Sequence, residues 1–135
     1  MLNTSVISVF RTFSKEELKR FEEFLLSPYY NKKSAVVNLF NVIKKNEPDY
    51  NSPNLERKKI WSRLYKDKDF NYGVMKNLIY DLGKCADTFI ELQNYEKDNI
   101  LRGMIIMKEQ MNRDLNKSFE RSMKGFKNQL SEMKQ

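Results

Sequence analysis

A chain of 135 residues suffices for one domain, or one compact domain with a helical extension, and can bury roughly two thirds of its unfolded surface. Aromatic residues make up 13% of it against 4 Gly and 3 Pro, which excludes a disordered composition. The lack of histidine excludes Ser-His-Asp triads and the usual zinc sites, and a single cysteine excludes an internal disulfide. Lys and Arg total 25 against 18 acidic residues, and this charge of +7 favours a polyanionic partner, nucleic acid first and an acidic protein or anionic membrane surface next; the charges are nevertheless spread over most segments, as on many solvated surfaces.

Taken in order, Leu2, Val6, Ile7, Val9, Phe10 and Phe13 predict a short N-terminal helix that packs on its successor. Ser14, followed three residues on by Glu17, forms a capping-box pattern that opens a second helix with Leu18, Phe21, Phe24 and Leu25 on one side. Pro28 ends it. The turn Ser27–Asn31 carries Tyr29 and Tyr30, which read as a plug between helices in preference to a stacking platform for bases. A third helix is predicted from Ser34 to Lys45 with Val36, Leu39, Phe40 and Ile43 as its apolar face, and Asn46–Pro53 is a loop. Leu55, Ile60, Trp61, Leu64 and Tyr65 predict a fourth helix of about three turns.

The stretch Asn71–Tyr95 is the centre of the reading. Met75, Leu78, Leu82, Cys85, Phe89 and Leu92 recur at gaps of three and four, with Ile79 and Ala86 widening the stripe, so a long helix buries one face there. Asn71 is its expected N-cap. Glu96, Lys97 and Asp98 form a charged patch, after which Ile100, Leu101, Met104, Ile105, Met107 and Met111 give another helical face. Phe119, Met123, Phe126, Leu130 and Met133 then repeat at gaps of four, three, four and three in a terminal helix. Asp114, Leu115 and Asn116 are placed to turn the chain between the two, and a hairpin that buries both stripes is preferred over one long rod.

Chemistry-bearing constellations are scarce. Cys85 sits on the buried stripe, not in an exposed electropositive pocket where a nucleophile belongs. Asp67, Asp69 and Asn71 imitate the start of a calcium loop, but Gly73 comes one place late and Leu78 stands where a bidentate glutamate is required. Gly73, Gly83, Gly103 and Gly125 are isolated, so no phosphate cradle exists. No catalytic residue, metal, cofactor, membrane span or small-molecule substrate is expected. The start, MLNTSVISVF, lacks the basic and long apolar regions of a secretory signal, and together with the free cysteine it reads as cytoplasmic.

Two binding surfaces remain. Arg57, Lys58, Lys59, Arg63 and Lys66 on the fourth helix, with Lys76, Asn77, Tyr80 and Lys84 on the outer side of the next, could form a helix-turn-helix for nucleic acid; Asp81 beside them would repel phosphate. Met104, Met107 and Met111, with Phe119, Met123, Phe126 and Leu130, are candidates for contact with a partner helix, since methionine adapts to varied surfaces.

The segment FEEFLLSPYYNK (Phe21–Lys32), residues Leu55–Leu64 and the run FNYGVMKNLIYDLGKCADTFI from Phe70 resemble the N-terminal part of a family of uncharacterised bacterial helical proteins. Its motif reads F-x-x-F-L-x-S-P-Y-[FY]-N-K, and an aromatic-asparagine pair, here Phe70 and Asn71, opens its long helix. RDLNKSFERSMK echoes a later Arg-Gly-Leu of that family, with Asp114 in the place of the glycine. Family members continue as helical hairpins, so the resemblance implies a short member or the front piece of one, and it carries no activity.

The expectation is therefore an all-α helical bundle of six to seven helices, with residues 1–95 as the bundle and 96–135 as a C-terminal hairpin or extension. The function expected is a non-catalytic protein–protein interaction module, through a protein partner or self-association, with nucleic-acid binding as the alternative.

Overall fold

Ser14 accepts a hydrogen bond from the Glu17 N–H at 3.1 Å while the Glu17 carboxylate accepts from the Ser14 N–H at 3.1 Å, so the capping box predicted there is formed. In the computed structural model, which describes residues 5–134, it opens the second of seven α-helices. These are α1 (Ser5–Arg11), α2 (Lys15–Leu26), α3 (Ser34–Lys44), α4 (Arg57–Leu64), α5 (Tyr72–Lys97), α6 (Asn99–Asn112) and α7 (Asn116–Met133), with a 3₁₀ turn at Pro53–Leu55. The described residues contain no strand, and no helix among them is long and apolar enough to cross a membrane. Leu2, expected in the first helix, lies outside the described residues.

The chain divides into two compact units, Met1–Phe89 and Ile90–Gln135. In the first, Val6, Ile7 and Phe10 of α1, Leu18, Phe21 and Leu25 of α2, and Val36, Leu39, Phe40 and Ile43 of α3 meet Met75, Leu78, Ile79, Leu82, Ala86 and Phe89 of α5 in one core. The Phe21 ring is its hub, 5.1 Å from Phe40, 5.2 Å from Phe89 and 5.6 Å from Phe10, mostly edge to face. Such aromatic pairs add to the burial itself roughly 0.5–1.5 kcal/mol each. Of the predicted α5 stripe, Met75, Leu78, Ile79, Leu82, Ala86 and Phe89 are buried, Cys85 is half-buried against the core, and Leu92 is half-buried beyond it. Asn71 caps the helix, its Oδ1 accepting from the Val74 N–H at 3.1 Å.

Four local readings need correction. Leu55 is buried in the 3₁₀ turn and not in α4, which is shorter than expected because Glu56 adopts extended backbone between the two. Tyr29 is 84% exposed and plugs nothing; of the pair only Tyr30 packs, stacked on Phe24 at 4.6 Å. Asp98 is more than part of a charged patch, since its carboxylate caps α6 by accepting from the Leu101 N–H at 2.9 Å. Tyr50, read as loop, is core.

Tyr50 sits in the left-handed region at φ 55°, a conformation that strains a bulky residue, and burial of its ring beside Phe10 holds it there. Arg11 on α1 ties the same loop down, its Nε donating to the Asp49 carbonyl at 3.1 Å. The buried Tyr50 hydroxyl has no hydrogen-bond partner among the described residues. Its pKa is pushed up from 10.0 to about 12, by burial first and by the Glu47 carboxylate second. Below pH 10 both folded and unfolded chains keep this proton; between pH 10 and about 12 only the unfolded chain gives it up, so stability falls as pH rises through that window. Tyr50→Phe is expected to leave Tm at pH 7 unchanged or raised, because an unmade hydrogen bond is removed, and to lessen the alkaline decline. A clear fall in Tm at pH 7, followed by circular dichroism, would show that the hydroxyl does have a partner.

Candidate functional site

The second unit is built from the end of α5, α6 and α7, and its turn is set by backbone geometry. At the end of α6 the Leu115 N–H donates to the Gln110 carbonyl at 2.9 Å and the Asp114 N–H to the Met111 carbonyl at 3.1 Å, with Asp114 at φ 58°. This is a Schellman motif, which needs a left-handed residue after the C-cap and which Asp tolerates better than most side chains. It reverses the chain, so Ile100 to Met133 is a hairpin and not a rod, as preferred from the sequence.

α6 and α7 meet where Gly103 faces Phe126. A Cβ on Gly103 would stand 2.7 Å from Cδ2 of Phe126, so the absence of a side chain at Gly103 is what lets the Phe126 ring lie against α6. Beside this contact runs a groove of about 440 Å³ lined by Tyr95, Asn99, Arg102, Ile106, Ser122 and Gln129, among others. Its lining mixes amide, hydroxyl and guanidinium groups without a cluster of acids, and no three of His, Cys, Asp or Glu among the described residues could hold a metal ion.

The candidate partner contacts separate into two sets. Met107 is buried, the one hydrophobic residue beyond Phe89 that is so among the described residues, and Phe119, Met123 and Phe126 are half-buried. Met104, Met111 and Leu130 are exposed. To these the structure adds two residues of α6 that were noted in its apolar face but not singled out for binding. With Gly103 and Ile106 turned toward α7, the 3.6-residue period places Leu101 and Ile105 on the opposite side of α6. Leu101 is 42% exposed, Met104 55%, Ile105 47% and Met111 61%. The signal was legible: Ile100, Leu101, Met104, Ile105, Met107 and Met111 form a stripe that covers close to half of α6, broader than one packed neighbour hides.

The basic candidates lie in the first unit. Lys58, Lys59, Arg63, Lys66, Lys76, Asn77 and Tyr80 are exposed, while Arg57 is half-buried against Tyr72, its guanidinium 5.9 Å from the ring centre. They do not form one face, because Lys59 and Arg63 are a turn apart on one side of α4 and Arg57 with Lys58 line a separate pocket beside Phe70 and Tyr72. The connection between α4 and α5, Tyr65 to Asn71, is about twice the three to four residues of a helix-turn-helix. It is fixed by Trp61, whose Nε1 donates to the Lys68 carbonyl at 3.0 Å. Asp81 is paired with Lys33 at 2.7 Å. Cys85 is half-buried against the core; burial, and then the Asp81 carboxylate, push its thiol up despite the opposing Lys33, which disfavours the thiolate.

Comparison of the chain with protein-family models, with curated proteins and with solved structures finds no match to any of them.

The hairpin contact gives a paired test. Gly103→Val is expected to destabilise the chain by roughly 1–3 kcal/mol through overpacking on Phe126. Gly125→Ala, where an added Cβ meets nothing within 4 Å, is expected to stabilise it by roughly 0.5–1 kcal/mol. Urea unfolding followed by far-ultraviolet circular dichroism reads both, and equal effects at the two sites would contradict the crossing described.

Proposed function

We propose that the chain is a non-catalytic interaction module whose C-terminal hairpin docks a protein partner or a second copy through the uncovered side of α6. The observation that carries the reading is the exposure of Leu101, Met104, Ile105 and Met111 on a helix of 14 residues. Single exposed apolar residues are ordinary, but neighbours along one helix side form a contiguous patch, and patches of this kind mark interaction sites. Each of the four has about half a side chain left to bury, worth roughly 1 kcal/mol. Together they offset only the low end of the cost of association, roughly 4 kcal/mol, so a stable complex has to reach further, to Leu130 and Met133 on α7.

Specificity at such a surface comes from the charges around it. Lys108 lies among the apolar residues, and Glu109 is bound to Arg113 at 2.7 Å, a contact that holds the Glu109 carboxyl below its usual range. A partner helix with an apolar stripe bordered by acids would fit the lysine and leave the Glu109–Arg113 pair in place.

Sedimentation velocity over a range of concentrations, together with affinity capture from lysate, tests the reading. The native chain is expected to self-associate or to retain a partner, and Leu101→Lys with Ile105→Lys is expected to abolish this while the helical circular dichroism spectrum is unchanged. A native chain that stays monomeric and retains nothing, or a double variant that associates as well as a native chain that does so, would overturn the proposal.

A further inference from the structure

The exposed side of α5 carries Tyr72, Lys76, Tyr80 and Lys84, a tyrosine and a lysine alternating at every fourth residue. Four residues advance about 6 Å and turn slightly more than once, so these side chains make a ladder that drifts slowly round the helix. It starts at the edge of the buried side formed by Met75, Leu78, Ile79, Leu82 and Ala86 and moves away from it, so that Lys84 stands opposite that side. Tyr72 is 57% exposed and Tyr80 62%, so neither ring is spent on the core.

Each ring is held by a cation. The Lys84 Nζ lies 5.5 Å from the centre of the Tyr80 ring, and Arg57 of α4 covers Tyr72 in the same way, within cation–π range. The Arg57 Nε, shielded from water, has no hydrogen-bond partner among the described residues, which leaves a donor unused. A pocket of about 260 Å³ lined by Glu56, Arg57, Lys58, Phe70 and Tyr72 marks this end of the ladder.

The charge around the ladder is unbalanced. Ion pairs among the described residues join Lys33 to Asp81, Lys44 to Glu22 and Arg113 to Glu109, and none takes up Arg57, Lys58, Lys76 or Lys84. Asp81, next to Tyr80, is offset by Lys33 at 2.7 Å. The acids that do face the ladder are Glu56 at its start and Asp87 and Glu91 beyond Lys84, and they bound it to about three turns.

We propose that this ladder binds single-stranded nucleic acid, with bases stacked on Tyr72 and Tyr80 and phosphates held by Arg57, Lys58, Lys76 and Lys84. An acidic peptide would be met by the lysines alone and gives no use to two exposed rings. A duplex hides its base faces within the stack, so the tyrosines favour unpaired strands. Stacking and phosphate contacts do not read the 2′-hydroxyl, and DNA and RNA strands bind alike. The surface lies wholly in the first unit.

Fluorescence anisotropy with labelled 12-mers of dT and of rU, and with a duplex of equal length, tests the proposal on the full chain. Both single strands are expected to bind at low salt, more tightly than the duplex, with log K falling against log salt at a slope of about −3 for four phosphate contacts. Tyr72→Ala with Tyr80→Ala is expected to weaken binding about tenfold or more with the slope unchanged. Lys76→Gln with Lys84→Gln is expected to weaken it and flatten the slope. All four residues are exposed, so the variants keep the fold, which circular dichroism checks. No binding of either strand at low salt overturns the proposal. So does equal affinity for the duplex with no effect of the tyrosine substitutions, which would leave a surface attracted to any polyanion.

Discussion

Phe21 of α2 touches aromatic rings from every helix that builds the first unit's core apart from α4. Phe10 comes from α1, Phe13 from the link between α1 and α2, Phe24 from α2 itself, Phe40 from α3 and Phe89 from α5. Because rings attract edge to face at fixed separations, this cluster fixes distances and angles between helices more tightly than aliphatic contacts of equal area could. α4 joins through a second aromatic group, in which Trp61 meets Tyr65 at 4.5 Å and Phe70 at 5.7 Å. The loop from Tyr65 to Asn71 is thereby held, and with it the approach of Arg57 to Tyr72 on the neighbouring helix.

The same constraint explains where the core stops. Phe89 is the last residue of α5 in the aromatic cluster, and the boundary between the two compact units falls directly after it although the helix continues to Lys97. Past that point the chain supplies large apolar residues but few that are covered. The hairpin closes on Gly103 and Phe126 and turns on Asp114, both economical devices, yet two helices cannot hide an apolar stripe as broad as that of α6. One unit is complete in itself and the other presents a surface. This contrast is the physical basis for placing protein contact on the hairpin and the tyrosine-lysine ladder on the rigid unit.

Most of the architecture was legible because helical period is a strong signal. The α5 stripe as far as Phe89, the capping box at Ser14, the Asn71 cap and the α3 face appear in the structure on the residues that predicted them. What escaped was set by tertiary contact. Tyr50 lies in a stretch of turn-forming residues, and only the ring of Phe10 and the Arg11 hydrogen bonds make it core. Leu55 carries an apolar side chain at helical spacing from Ile60, but the extended backbone of Glu56 intervenes. Of the candidate sites, residue types were readable and groupings were not. The basic residues of α4 divide between two sides, whereas Tyr72, which completes the ladder with Lys76, Tyr80 and Lys84, was not grouped with them because it stands at the start of the helix, beside the apolar stripe.

Native-state hydrogen exchange on the isolated chain tests most directly whether the aromatic core ends at Phe89. Amides of α2, α3 and the Tyr72–Phe89 part of α5 should share the slowest rate, that of global unfolding, while those of α6 and α7 exchange at least about tenfold faster through local opening. Protection of α6 and α7 equal to that of α3, in a chain shown to be monomeric and unliganded, would contradict the division of the molecule into a closed core and an open hairpin.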